Sequence, residues 1–456
     1  MQIIALVIIV ITGFLVVKRY QTHATLFLAG FALLTTAHLA RVLSGQPGLE
    51  SLTGLFAFDL FAWASEAFSS RVARIGMIIM AAGGFARYMS SISASTALVD
   101  LSIGPLSRIR SPYLLLAIIY VIGQALNIFI PSAAGLAMLL LVAMYPTLVK
   151  LGVRPVAAAA VIGTTACLDL GPASPAANVA AEVTGVTPIE YFVYYQLKVA
   201  AVVVPVIAAL HFFWQRWCDQ REPEPVPAGA AIDGPSAADE DQARAPVVYA
   251  LLPLLPLFLL FIFSPLMVQS IRLDVVTAML ISLAVGMSCE GIRHRSLREA
   301  LGGIVPFFRG MGEIFSSVVT LIVAAEIFAM GIKATGMIDA LVTIVERAGF
   351  GGAAMAVVMV LLLGATAMLT GSGNAALFSF SGMIPGIAER MNTQVVSLML
   401  PSQLAGGLFR SVSPVAGVII AVAGAAKVTP FDIIKRTSVP MIGGAVASLV
   451  ASQLLL

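Results

Sequence analysis

Two interruptions in the C-terminal third hold the side chains best suited to chemistry. Thr370-Gly371-Ser372-Gly373-Asn374 halts one apolar helical run, and Arg410-Ser411-Val412-Ser413-Pro414 splits another. Hydroxyls, an amide, glycines and a guanidinium thus stand where a hydrophobic helix would simply continue. In lipid, broken helices survive only where protein buries them or where they line a wet cavity. Their exposed N-termini then offer N–H donors and a dipole favourable to an anion. Gly371 and Gly373 let the backbone turn sharply and approach a ligand, while Thr370, Ser372, Asn374, Ser411 and Ser413 add side-chain donors or oxygen ligands. Arg410 lies between the apolar runs 404–409 and 412–426. An arginine in hydrocarbon is costly and faces a cavity or a partner. Its planar fork suits a carboxylate. Three readings stand at this point: contact with a substrate carboxylate, an internal ion pair to Asp169, and snorkelling to the interface.

The first half has a similar break, Asp169-Leu170-Gly171-Pro172-Ala173-Ser174-Pro175, with Asn178 one turn on. Unwound carbonyls together with Asp169 and Asn178 make a cation or proton site, the complement of an anion site in coupled carriers. Asp169 equally suits the role of fixed counter-charge to Arg410. Ser132, in Ile130-Pro131-Ser132-Ala133-Ala134-Gly135, offers donors at a hairpin tip, and Ser174 sits at the first-half break. Glu326, inside the apolar run 322–330, is a candidate proton carrier or a helix contact. The bland alternative for each isolated serine is packing through small residues. His23, His211 and His294 read as interfacial. The three cysteines, Cys167, Cys218 and Cys289, lie far apart and read as packing residues, not as a metal set or a disulfide. No nucleotide-binding loop, hydrolase triad or metal-ligand spacing occurs, which disfavours a membrane enzyme or primary pump. Energy then comes from exchange or from an H+ or Na+ gradient, with no bound cofactor or metal.

The elements that must position these groups are membrane helices. Hydrophobic residues make up 59% of the 456, charged residues only 11%, and mean hydropathy is +1.00, well away from soluble domains. Runs 1–17, 25–40, 247–268, 275–289 and 437–456 approach the length of a spanning helix. Nothing alternates as a β-barrel strand would. A net charge of +3 argues for no nucleic-acid partner, and the first segment lacks a cleavage site, so it reads as a retained span. Lys18-Arg19 and the cluster Arg293, His294, Arg295 and Arg298 are assigned to the cytoplasm.

Apolar runs broken at 130–135 and at 370–374 predict two re-entrant hairpins, 113–149 and 353–389, with broken helices at 156–181 and 395–425. Further spans fall near 24–43, 72–89, 195–214 and 274–290. The segment 215–246, rich in acids, prolines and alanines, reads as a flexible cytoplasmic linker between two halves, 1–214 and 247–456. The halves echo one another. Phe68-Ser69-Ser70 matches Phe315-Ser316-Ser317, and Thr187-Pro188-Ile189-Glu190 matches Thr429-Pro430-Phe431-Asp432. Ser132 precedes Ser174 by 42 residues and Ser372 precedes Ser413 by 41. The expectation is an all-α polytopic membrane protein of about 11 spans and two hairpins, built as two inverted repeats. Amphipathic pieces at 91–110 and 333–347 read as interfacial connectors.

The stretch 370–442 carries a specific resemblance. Gly371-Ser372-Gly373-Asn374-Ala375, Arg410-Ser411-Val412-Ser413-Pro414-Val415-Ala416-Gly417-Val418, Ala421-Val422-Ala423-Gly424 and Lys435-Arg436-Thr437-Ser438-Val439-Pro440 closely resemble the DcuC-type anaerobic C4-dicarboxylate carriers. Toward the N-terminus only Gly163 to Val179 stands out. Such carriers are similar to the wider ion-transporter superfamily. The resemblance implies inverted repeats, a homodimer through a scaffold domain, an elevator motion, and transport of succinate, fumarate or malate across a bacterial inner membrane. In sodium-coupled relatives the hairpin tips carry Ser-Asn-Thr, and the tips here depart from it. The site expected on these grounds has Ser132 and Ser372-Gly373-Asn374 cradling carboxylates from opposing hairpins, with Arg410 beside them. A carrier of another organic anion, such as a short-chain fatty acid, gluconate or a keto acid, and a gated anion channel remain the alternatives.

Overall fold

The structure, a computed structural model, describes all residues except 19, 104, 105, 107, 108, 110, 222–244, 264–266, 269, 270, 272, 338, 339, 341, 342 and 344–350. Most of the expected linker, and parts of both interfacial connectors, therefore lie outside the described residues. Among the described residues every regular element is helical. That is how a chain in lipid satisfies its backbone groups. Among the described residues eight helices are long and apolar enough to cross a membrane.

The first half runs α1 (Gln2–Val17), α2 (Thr22–Leu43), α3 (Phe56–Arg71), α4 (Met77–Ser91), α5 (Ala94–Ile103), α6 (Pro112–Asn127), α7 (Ala133–Lys150), α8 (Pro155–Gly163), α9 (Pro175–Thr184), α10 (Pro188–Glu190) and α11 (Leu197–Arg221). After it come α12 (Leu255–Ile262), α13 (Val275–His294), α14 (Leu297–Gly302), α15 (Ile304–Ile314), α16 (Thr320–Ala334), α17 (Gly352–Thr370), α18 (Gly373–Ser381), α19 (Ile384–Arg390), α20 (Val395–Arg410), α21 (Gly417–Ala426) and α22 (Pro430–Leu455). The sequence echoes have structural meanings. Phe68-Ser69-Ser70 precedes a π-turn at Val72–Gly76 that joins α3 to α4, and Phe315-Ser316-Ser317 opens one at Phe315–Val319 that joins α15 to α16. Each π-turn carries the helix onward while rotating the face it presents. The expected span 72–89 is thus the second part of a helix running from Phe56 to Ser91. The two Thr-Pro motifs are N-caps. Thr187 Oγ1 accepts from Glu190 N and Thr429 Oγ1 from Asp432 N, both at 3.3 Å, and proline fits the first helical turn because its missing N–H would have had no partner.

The linker boundary needs correction. Residues 215–221 were expected to be flexible, yet α11 continues to Arg221, Gln215 is fully buried, and Asp219 is held by Arg436 with Nη1 to Oδ1 at 2.6 Å. The buried guanidinium of α22 requires a counter-charge, and α11 supplies it. His211, expected at the interface, is likewise buried, with Nε2 3.0 Å from Thr164 Oγ1. The expected span 247–268 begins instead as a 3₁₀ segment, Val247–Leu254, where Pro253 and Pro256 remove the donors an α-helix would need.

The helices fall into two packing groups. In one, α2 lies along α16 and α4 along α15. At the second of these contacts a Cβ on Gly310 would meet Gly84 Cα at 2.9 Å, so the backbones approach as only glycine allows. In the other group α11 packs on α22, α17 on α20, and α8 on both α21 and α22.

Candidate functional site

Residues 164–174 between α8 and α9, and 411–416 between α20 and α21, are unwound, as the Gly-Pro and Ser-Pro motifs suggest. In the first break Asp169 and Gly171 turn left-handed, at φ 48° and 90°. The two breaks touch. A Cβ on Gly407 would stand 2.3 Å from the Cys167 carbonyl oxygen and 3.0 Å from Asp169 Oδ2. Arg410 bridges them, with Nη1 3.6 Å from Asp169 Oδ2 and Nη2 donating to the Ala166 carbonyl at 2.8 Å. Of the three readings for Arg410, the internal ion pair is the arrangement present. Its side chain is only 14% exposed, so it does not snorkel. Its Nε is buried without a hydrogen-bond partner.

A second cross-link comes from Gln403 on α20. Its Nε2 donates to the carbonyls of Leu168 and Asp169, each at 3.2 Å, and its Oε1 accepts from Gln196 Nε2 at 2.9 Å. Gln196 Oε1 in turn accepts from Gly171 N at 3.0 Å. Unwinding frees backbone groups that must be paired once buried, and two buried amides do this. Sequence reasoning missed both. Their signal was an uncharged polar residue inside an apolar run, which is easily passed over beside Arg410. Asn178 serves the same break, donating to the carbonyls of Pro172 and Ser174 at 2.8 Å, while its Oδ1 is buried without a partner.

The expected hydroxyl donors act first as helix caps. Ser132, Ser174 and Ser372 accept from the N–H groups of Gly135, Ala177 and Ala375 at 3.1, 3.4 and 3.1 Å. Thr370 Oγ1 accepts from Ser372 N at 3.2 Å. Ser411 and Ser413 are buried and tie the second break, Ser411 Oγ donating to the Gly407 carbonyl and Ser413 Oγ accepting from Val415 N. Gly371 ends α17 at φ 74°, and a Cβ there would meet the Val415 and Ala416 backbone at 2.8 Å. Gly373 packs as closely on the Gly406 carbonyl. Asn374 is half-buried, and its side chain makes no hydrogen bond among the described residues.

The expected cradle of opposing tips needs correction. Each tip is seated on the break of its own half: Ile128 lies against Gly171 in the first, and Gly371 and Gly373 lie against 406–416 in the second. Ser132 opens instead into a cavity of about 630 Å³ bounded by α4, α5, α7 and α15, which residues 370–374 do not line. Glu326 also stands away from the breaks. Arg71 holds it at 2.7 Å through Nη2 and Glu182 of α9 at 2.9 Å through Nη1. These three line a smaller cavity of about 260 Å³ with Glu66 and Arg74. Arg71 and Glu182 carried no motif to mark them, since the partners are 111 residues apart.

Comparison with known proteins gives a consistent result. The family described as C4-dicarboxylate anaerobic carrier matches residues 1–455. A probable anaerobic C4-dicarboxylate transporter of Vibrio cholerae is 34% identical over 456 residues, covering 99% of this chain and 97% of the relative. The anaerobic C4-dicarboxylate transporter of Escherichia coli K12 is 33% identical over 455 residues, covering 99% and 96%. Among solved structures, the YdaH transporter of Alcanivorax borkumensis aligns with a TM-score of 0.62 at 16% identity, over 94% of this chain and 97% of that one. MtrF of Neisseria gonorrhoeae, from a class of antimetabolite efflux pumps, aligns at 0.61 and 12% identity, over 94% of both. At such identities these two likenesses concern the fold alone.

Proposed function

The chain belongs to the family of anaerobic C4-dicarboxylate carriers, and from that premise we propose that it is a secondary transporter of succinate, fumarate and malate. The observation that carries the reading is the meeting of two broken helices at Arg410 and Asp169. A polar, buried, backbone-rich junction inside so apolar a chain is costly, and carriers use such junctions to replace the hydration of an ion. Arg410 acts as a positioning residue: by neutralising Asp169 it lets both breaks stay unwound and buried. The N-terminus of α18, capped by Ser372, supplies N–H groups for a carboxylate beside the junction. Asn374 adds an amide without a competing partner, and the free Oδ1 of Asn178 is the group available to a cation.

Alternating access in this reading follows an elevator. The group containing both breaks moves against the group built on α2, α4, α15 and α16, and two such chains dimerise through the latter. The matched order of π-turn, hairpin, break and capped helix supports inverted repeats. In this reading the chain sits in a bacterial inner membrane, and the basic Lys18 and the cluster at 293–298 favour a cytoplasmic side for the first loop and the α13–α14 connection, with the linker on the same side. Coupling is by exchange or by H+ or Na+.

The test is uptake of labelled succinate by proteoliposomes under a sodium gradient, under a pH gradient, or against preloaded succinate. Saturable uptake under at least one condition supports the proposal. No uptake under any of them, or a non-saturable conductance, overturns it.

A further inference from the structure

The larger cavity carries an anion site that the two breaks do not. Arg87, near the C-terminal end of α4, lines the cavity wall. Ser93, left-handed at φ 59°, then turns the chain so that the first turn of α5 lines the same space through Ser95 and Thr96. Ser132 and Gly135 add the N-terminus of α7, and Ala173 and Pro175 add that of α9. Three positive helix ends and a guanidinium therefore open into one cavity, against the negative end of α4 at Ser90 and Ser91.

Ser95 points to a ligand independently. It is only 3% exposed and lines the cavity, yet its hydroxyl has no hydrogen-bond partner among the described residues. With no such partner and with Ser95 among the residues lining the cavity, the hydroxyl oxygen opens to that space and can donate to an incoming acceptor in place of water. The neighbouring Ser90 and Ser91 differ, since both already donate to carbonyls of their own helix. Arg87 meets Glu313 of α15, Nη1 to Oε2 at 2.9 Å, with both side chains about half exposed. One carboxylate thus already occupies a guanidinium in a space roomy enough for a small acid, and Ile79, Ile130 and Ile314 give it an apolar wall.

We propose that this cavity receives a C4-dicarboxylate: one carboxylate displaces Glu313 from Arg87, the other reaches the Ser95, Thr96 and Ser132 hydroxyls, and the methylenes lie on the isoleucine wall. The proposal rests on the transport reading for its substrate class and adds the residues that tell two carboxylates from one. Glu313 is the internal competitor. Removing it frees the guanidinium, so Arg87 and Glu313 variants act in opposite directions. A merely structural ion pair would weaken the protein from either side.

The experiment is equilibrium binding of succinate and of butyrate to purified protein by calorimetry, for the unaltered chain, Arg87→Gln, Arg87→Lys, Ser95→Ala and Glu313→Gln. Arg87→Gln is expected to weaken succinate binding about 10-fold or more, Arg87→Lys less, and Ser95→Ala a few-fold. Glu313→Gln is expected to tighten it, and butyrate to bind weakly and be little affected by Arg87→Gln. If Arg87→Gln does not fold, Glu313→Gln decides alone. Unchanged or weaker succinate binding in folded Glu313→Gln overturns the proposal, as does a shift in the same direction for both variants, or no succinate binding at all. Counterflow on the same preparations separates the two readings. Binding that responds as expected without transport refutes the carrier, whereas transport with unresponsive binding refutes this site alone.

Discussion

Arg410 of the second broken helix stands 3.6 Å from Asp169 of the first, so the two halves of the chain share one charge pair at the place where each loses its helix. Both side chains are about 85% buried. Removing one partner strands the other's charge, whereas removing both does not. Arg410→Ala should therefore cost about 3 kcal/mol or more, and adding Asp169→Asn should recover most of the lost thermal stability while transport stays impaired. Melting curves of the purified variants check this. A double variant no more stable than Arg410→Ala would show that the pair does not hold the junction.

Gly407 tests the junction sterically. A Cβ there would come within 2.3 Å of a backbone carbonyl oxygen, while a Cβ on Gly443 would come equally close to Leu210 Cδ1, the mobile end of a side chain. The carbonyl belongs to the other break and cannot step aside without moving it. Gly407→Ala should lose at least 10-fold in transport rate, and Gly443→Ala should stay within about 2-fold of the unaltered protein, as rotamer adjustment is cheap. Similar rates for the two, measured on equal amounts of reconstituted protein, would place the breaks outside the transport cycle.

Asp219 and Arg436 join the end of α11 to α22, with 6% and 2% of their side chains exposed. Tyr113 also donates to Asp219 Oδ2, at 3.0 Å. Asp219→Asn removes the carboxylate that faces two arginines, the buried Arg436 at 2.6 Å and Arg154 at 3.8 Å, a loss of about 3 kcal/mol, and should reduce the yield of folded protein. A truncation should agree: a deletion that removes 215–221, and with it Gln215 and Asp219, should abolish folding.

Arg71 is shared by two carboxylates, Glu182 and Glu326, each roughly a quarter to a third exposed. Loss of one charged hydrogen bond costs about 1.5–3 kcal/mol, with partial exposure pulling it to the low end. Glu326→Gln should thus destabilise modestly and keep whatever dependence on a pH gradient the unaltered protein has. Arg71→Ala should be worse, because two acids then face each other. Uptake at graded internal and external pH checks this. Loss of the pH-gradient dependence in Glu326→Gln would make that residue the proton carrier after all.

The helical architecture was legible because its cause is local: apolar runs of spanning length, and Gly, Ser and Pro clusters that end them. The helix interruptions at 128–132, 164–174, 371–372 and 411–416 fall where Ser132, Asp169 to Asn178, Thr370 to Asn374 and Arg410 mark them. What the sequence could not convey is pairing across hundreds of positions. Gln403 bonds to Leu168, 235 residues away, and Arg71 to Glu326, 255 away. Neither contact leaves a periodic trace. The serines admit two roles for a related reason. A half-helix N-terminus needs its cap before it needs a ligand, so Ser132, Ser174 and Ser372 fit either role by type. The linker boundary failed because Asp219 reads as solvated charge until its partner Arg436 is known.

Counterflow is the most direct measurement of the central claim that this chain is a C4-dicarboxylate carrier. Proteoliposomes preloaded with unlabelled succinate, fumarate, malate, butyrate or gluconate are diluted into trace labelled succinate. The account predicts transient accumulation of label above equilibrium with the three dicarboxylates inside and none with butyrate or gluconate. Accumulation driven equally by butyrate or gluconate, or label that only equilibrates whatever is inside, would contradict it.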